Sequence, residues 1–173
     1  MKNIRSFISI FLILLPLWAQ AQREVKCRVV RVSDGDSLTC LAHNNKQIKV
    51  RLLDIDAPER RQPFGNKARQ QLAQLIFKRE ITLRISGYDR YNRTLATVFN
   101  EKNENINLKM VQLGLAWAYN QYSENPEYGK AEALAKKRKI GLWRETNPIE
   151  PSRYRRELYK RNIQNKKQRT EKN

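Results

Sequence analysis

Two groups of carboxylates, Asp34-Gly35-Asp36 and Asp54-Ile55-Asp56-Ala57-Pro58-Glu59, stand about twenty residues apart in this chain. Arg51 precedes the second group, and the run Tyr88-Asp89-Arg90-Tyr91-Asn92-Arg93 supplies further arginines. Oxygen ligands of this kind suit hard cations such as Ca²⁺ and Mg²⁺, and the planar guanidinium fork matches two phosphate oxygens. Carboxylate, cation and arginine together form a minimal set for cutting a phosphodiester. Zinc is a poor fit, because the chain has one histidine, His43, and two cysteines.

The background charge makes these acids informative. Lys and Arg total 35 against 17 Asp and Glu in 173 residues. Setting aside Lys2 and Arg5, which belong to the leader described next, leaves 33 basic against 17 acidic residues. Such an excess implies an anionic partner. Nucleic acid is the first candidate, since phosphate neutralisation dominates its affinity for proteins, although membranes and acidic glycans attract the same surface.

Residues 1–21 read as an export signal rather than as part of the fold. Lys2 and Arg5 form a positive start, Ile8 to Leu17 is almost wholly apolar, and Ala19-Gln20-Ala21 is a small-x-small cleavage pattern. The apolar run is too short to span a bilayer comfortably. A mature chain from about Gln22, secreted or periplasmic and without a membrane anchor, is expected. There Cys27 and Cys40, which flank the Asp34-Gly35-Asp36 turn, can form a disulfide across a hairpin; two free thiols or an intermolecular bridge are the alternatives.

The elements that must position these residues follow from periodicity. Val25 to Val32, Ser37 to Ala42 and Gln47 to Ile55 alternate as three strands, broken at Asp34-Gly35-Asp36 and at His43 to Lys46. Between Phe64 and Arg79 the period lengthens, with Ala68, Leu72, Leu75 and Ile76 on one helical face. Glu80 to Ser86 and Thr94 to Asn100 return to strand. Leu108 to Tyr119 is apolar at helical spacing, broken or bent near Gly114, and a further helix runs from Asn125-Pro126-Glu127 to Gly141. The fold class is therefore α+β. Five short antiparallel strands with about three helices, one after the third strand, match the OB-fold barrel, another small α+β sandwich being the alternative. The folded domain is placed at 22–147. From 148 to 173 a basic tail, rich in Arg and Lys, is expected to be a frayed helix followed by disorder.

Arg51 and Asp56 pose a geometric condition. Five residues apart, they point to opposite faces of a regular strand. Both can reach one site only if the strand is distorted between Leu53 and Asp56.

From Val25 to Trp143 the motifs resemble, in order, those of the staphylococcal nuclease family. They are Asp34-Gly35-Asp36-Ser37, Arg51-Leu52-Leu53, Asp56-Ala57-Pro58-Glu59, Asp89-Arg90-Tyr91-Asn92-Arg93, Gly114-Leu115-Ala116-Trp117 and Gly141-Leu142-Trp143. The resemblance implies one Ca²⁺ held by the Asp36 and Asp56 side chains and the Ala57 carbonyl. It implies Arg51 and Arg93 as the catalytic arginines, and Glu59 as the residue that orients or deprotonates water. The family pattern has threonine where Ala57 and Ser37 stand, and glycine where Asn92 stands. A backbone carbonyl survives the first change, and asparagine is the non-glycine residue best suited to positive φ.

The implied activity is Ca²⁺-dependent hydrolysis of DNA and RNA at the 5′ P–O bond, leaving 3′-phosphate ends, by a monomer. Arg90, Tyr91 and Tyr119 are expected to bind substrate, the tyrosines by stacking on bases, with core packing the alternative for Tyr119. A non-catalytic OB-fold binding module is the competing function, and an adhesion protein for anionic surfaces a third.

Overall fold

Five alternating strands close into a barrel in the computed structural model of the chain, which describes residues 23–119 and 125–170. They are β1 (Arg23–Val32), β2 (Ser37–Ala42), β3 (Gln47–Leu52), β5 (Glu80–Tyr88) and β6 (Thr94–Phe99), in the order β1-β2-β3-β6-β5 with β5 returning to β1. Alternate side chains enter the barrel, among them Val29, Leu38, Val50, Leu52, Ile81, Leu83, Ala96 and Val98, all buried. The export signal and the start at Gln22 lie outside the described residues. Among those residues no helix is long and apolar enough to cross a membrane.

One pairing differs from the expected antiparallel set. β3 and β6 run parallel, with Val50 opposite Thr94 and Leu52 opposite Ala96. The hairpins β1–β2–β3 and β5–β6 remain antiparallel, and closing the ring brings β6 alongside β3 in the same direction.

Between β3 and β5 lies α1 (Gly65–Ile76), which buries Ala68, Leu72 and Ile76 at four-residue spacing. The segment from Leu108 to Tyr119, read as helical and broken or bent near Gly114, is broken there. α2 (Ile106–Gln112) stops, and Trp117–Ala118 form a short strand, β7, paired with β4 (Ile55–Asp56). Gly114 enforces the break: its φ is 62°, and a Cβ there would sit 2.3 Å from the Ile140 carbonyl oxygen. The next helix, α3 (Pro126–Lys137), starts as its sequence dictates, with Asn125 capping the Glu127 N–H at 2.9 Å. A 3₁₀ turn at Gly141–Arg144 follows, and the basic tail carries a helix, α4 (Pro151–Thr170), beyond the three of the folded domain. Residues 171–173 lie outside the described residues.

Cys27 and Cys40 are joined across β1 and β2, with Cα atoms 5.6 Å apart and both residues buried. Their sequence separation is 13. Closing a loop of that size stabilises by about 2–3 kcal/mol in the chain-entropy account, so reduction should lower the melting temperature by roughly 5–10 °C. Calorimetry with and without reductant measures it; an unchanged transition would show that the barrel does not depend on the bridge.

Candidate active site

The two acidic segments meet because a glycine lets them touch. At Gly35 a Cβ would lie 2.7 Å from the Ala57 Cβ and 2.6 Å from that of Ala68, so the β1–β2 turn packs directly on the residues after β4 and on α1. Across that contact the Ala57 N–H donates to Asp36 Oδ2 at 2.7 Å, and the Ser37 hydroxyl donates to Asp36 Oδ1 at 3.0 Å.

Arg51 then bridges the two carboxylates. Its Nη1 stands 2.7 Å from Asp36 Oδ2, and its Nη2 donates to Asp56 Oδ1 at 2.8 Å. The geometric condition on this pair is met at Asp54, whose φ of 63° ends β3 and turns the chain before Ile55 and Asp56. Asn107 braces that turn. Its buried amide donates to the Leu53 and Ala96 carbonyls at 2.9 and 3.1 Å, while its oxygen accepts from the Val98 N–H at 3.0 Å. From sequence Asn107 is one polar residue beside an apolar run, with no signal of this task.

Asp36 is strained electrostatically. Burial pushes its pKa up to about 6, against the opposing pull of the Arg51 guanidinium. A cation bound to it would relieve that cost. Asp36 and Asp56 share one guanidinium and offer only oxygen, which fits a hard divalent ion. Among the described residues no three His, Cys, Asp or Glu side chains form a closed metal cluster. A cation here would therefore draw the rest of its shell from backbone oxygen, water and substrate. Ala57 is buried beside both carboxylates.

Arg93 comes from a tight loop built on Asp89. The Asp89 carboxylate accepts from the Tyr91 and Arg93 N–H groups, each at 2.9 Å, and from Arg93 Nε at 2.7 Å. Desolvation raises the Asp89 pKa, but these hydrogen bonds outweigh it and hold the value below the ordinary one. Asn92 takes φ 59°, the left-handed conformation that glycine would otherwise supply. Because Nε carries the Asp89 bond, both terminal nitrogens of Arg93 are left for another acceptor. Tyr91, 65% exposed, has the Arg90 and Arg93 guanidiniums 4.9 and 5.7 Å from its ring centre.

These parts surround one cavity of about 470 Å³, lined by Asp34, Asp36, Ser37, Arg51, Glu59, Arg90, Tyr91, Arg93 and Arg155. Asp56 lies beneath it, 2% exposed. Glu59 sits at the rim in a loop closed by Gln62, which accepts from the Glu59 N–H at 3.1 Å. Tyr119 does not line the cavity; it follows β7 with its N–H bonded to the Asp54 carbonyl. Arg155, to which sequence reasoning gives no role, enters from α4 and contacts both Asp56 and Glu59.

Residues 49–145 match the family model described as Staphylococcal nuclease homologue, more than half of the chain. The chain belongs to the staphylococcal nuclease family. Its five-stranded barrel with packed helices is the family's OB-type fold. Three relatives agree with it along most of their length. An uncharacterized endonuclease of Haemophilus influenzae is 51% identical over 149 residues, covering 86% of this chain and 83% of its own. A micrococcal nuclease of Shigella flexneri is 40% identical over 157 residues, covering 85% and 87%. The protein ParB of Escherichia coli is 37% identical over 167 residues, covering 91% and 92%.

Proposed function

We propose that this nuclease-family protein is an exported, Ca²⁺-dependent hydrolase of DNA and RNA that breaks the 5′ P–O bond and leaves 3′-phosphate ends. The observation that carries the reading is the convergence of Asp36, Arg51, Glu59 and Arg93 on one cavity, with Asp56 beneath it. A purely binding barrel has no need of buried paired carboxylates, whose desolvation is costly.

Asp36 and Asp56 are the side chains that would hold the cation, with the Ala57 carbonyl as a third ligand. The bound ion supplies Lewis-acid neutralisation of the phosphate. Arg51 and Arg93 donate N–H bonds to phosphate oxygens, and those bonds strengthen as negative charge builds there in the transition state. Glu59, partly exposed at the rim, accepts a proton from water or aims that water at phosphorus. The water oxygen bonds to phosphorus, the bond to the 5′ oxygen breaks, and that oxygen leaves with a proton. Tyr91 offers an exposed ring for base stacking, and Arg90 beside it a cation for the neighbouring phosphate. None of these contacts reads a base edge, in keeping with a substrate range of both DNA and RNA. The leader at residues 1–21 supports export.

The test is digestion of single-stranded DNA and RNA by the purified protein with Ca²⁺ and with a chelator. Both polymers should be degraded with Ca²⁺ and left intact with the chelator. Undiminished digestion under chelation would remove the cation from the account, and tight binding without cutting in Ca²⁺ would make the protein a binding module.

A further inference from the structure

Arg155 is the one cavity arginine that the nuclease chemistry above does not use, and its contacts are the most specific in the tail. Its Nη2 meets Asp56 Oδ2 at 2.8 Å and its Nη1 meets Asp56 Oδ1 at 3.2 Å, a two-pronged fork on a buried carboxylate. The same Nη1 donates to Glu59 Oε1 at 2.8 Å. The guanidinium thus joins the proposed cation ligand to the proposed water-orienting residue.

The helix that delivers it has little other reason to be there. Of α4 only Pro151 is buried, and from Tyr159 to Thr170 every residue is exposed. Its root is placed by Gln62, whose side-chain amide donates to the Ile149 carbonyl. Gln62 also closes the Glu59 loop, so the helix is anchored to the catalytic loop itself. Beyond that anchor, Arg155 is its grip on the site. A helix with so little buried apolar surface can shift at small cost.

Charge then decides what Arg155 does. Asp36, Asp56 and Glu59 face the guanidiniums of Arg51 and Arg155, leaving one negative charge uncompensated. A divalent ion at about 2.3–2.6 Å from an Asp56 oxygen draws on the electron density that the fork uses, and its charge repels the guanidinium. Cation and Arg155 therefore compete for Asp56. With the cation in place and both arginines still near, the cluster carries one positive charge, which a single phosphodiester neutralises.

We propose that Arg155 is a third phosphate-binding arginine, held on Asp56 and Glu59 until a divalent cation takes Asp56 and then turned to the substrate phosphate. This rests on the nuclease reading above. Arg155 couples cation uptake to substrate capture: it opposes the first and favours the second.

Two binding measurements on the full-length chain test it, alongside Arg155→Gln and the control Arg156→Gln. Arg156 is the adjacent, exposed arginine, so its removal changes net charge equally without touching the site. Calorimetric titration with Ca²⁺ gives the cation affinity. A deoxynucleoside bisphosphate, which carries phosphate but no diester to cut, gives the anion affinity at saturating Ca²⁺. Arg155→Gln should bind Ca²⁺ about fivefold tighter and the bisphosphate about fivefold weaker, as loss of one screened ion pair on each side implies. Arg156→Gln should move neither by more than about twofold. Weakening of both ligands in Arg155→Gln would make the residue merely structural and overturn the proposal. Tighter Ca²⁺ with unchanged bisphosphate would make it only a plug, and equal shifts in Arg156→Gln would reduce it to long-range charge; each overturns it. A wild-type chain that takes up no Ca²⁺ would instead overturn the cation reading, and this inference with it.

Discussion

Arg51→Lys is expected to lower turnover by about a hundredfold to a thousandfold with the fold intact, the range seen when a preorganised transition-state donor is lost. The two terminal nitrogens of Arg51 reach two carboxylates at once, 2.7 and 2.8 Å away. A single ammonium keeps the charge beside Asp36 and Asp56, so folding survives, but it cannot span both or present a planar pair of donors to a phosphate. Arg93→Lys should behave alike, because Nε is tied to Asp89 and only a guanidinium has further nitrogens to offer. Steady-state kinetics with saturating Ca²⁺, beside thermal melts of both variants, give the answer. Near-wild-type turnover in either lysine variant would mean that the arginine only attracts substrate.

Glu59→Ala should cost turnover about a hundredfold to ten-thousandfold, the usual scale for a positioned acid–base group, while Ca²⁺ affinity changes far less. The separation follows from where Glu59 sits. Its side chain is at the cavity rim and bonds Arg155, whereas Asp36 and Asp56 are buried and linked to each other through Arg51. Parallel measurement of kcat and of the Ca²⁺ dissociation constant separates the roles. A collapse of Ca²⁺ binding equal to the loss of turnover would make Glu59 a ligand of the ion.

Local pattern carries the strands, α1 and the start of α3, since alternation, four-residue spacing and an Asn-Pro cap are consequences of the chain's own geometry. The condition on Arg51 and Asp56 is legible for the same reason: strand parity forbids five-residue neighbours from sharing a face, and a left-handed Asp54 is what resolves it. The parallel pairing of β3 with β6 is not legible, because it joins Val50 to Thr94 across a helix and a hairpin. Gly114 marks the break after Leu108, but local periodicity does not show that Trp117–Ala118 then pair as a strand with Ile55–Asp56, a partner outside any local window. Tyr119 stands out for its ring alone, and ring type says nothing of position. Arg155 is invisible for a further reason. It is one basic residue among many in the tail, and its helix is placed by contacts remote in sequence, such as the bond between Gln62 and Ile149.

The most direct test of the central claim is the chemistry of the cut ends. A single-stranded DNA oligonucleotide labelled at its 5′ end is digested to a limited extent with Ca²⁺, and the fragments are weighed by mass spectrometry. Attack on phosphorus with departure of the 5′ oxygen predicts labelled fragments that each end in a 3′-phosphate, beside partners with a free 5′-hydroxyl. Fragments ending in a 3′-hydroxyl, beside partners with a 5′-phosphate, would contradict the mechanism assigned to Arg51, Glu59 and Arg93.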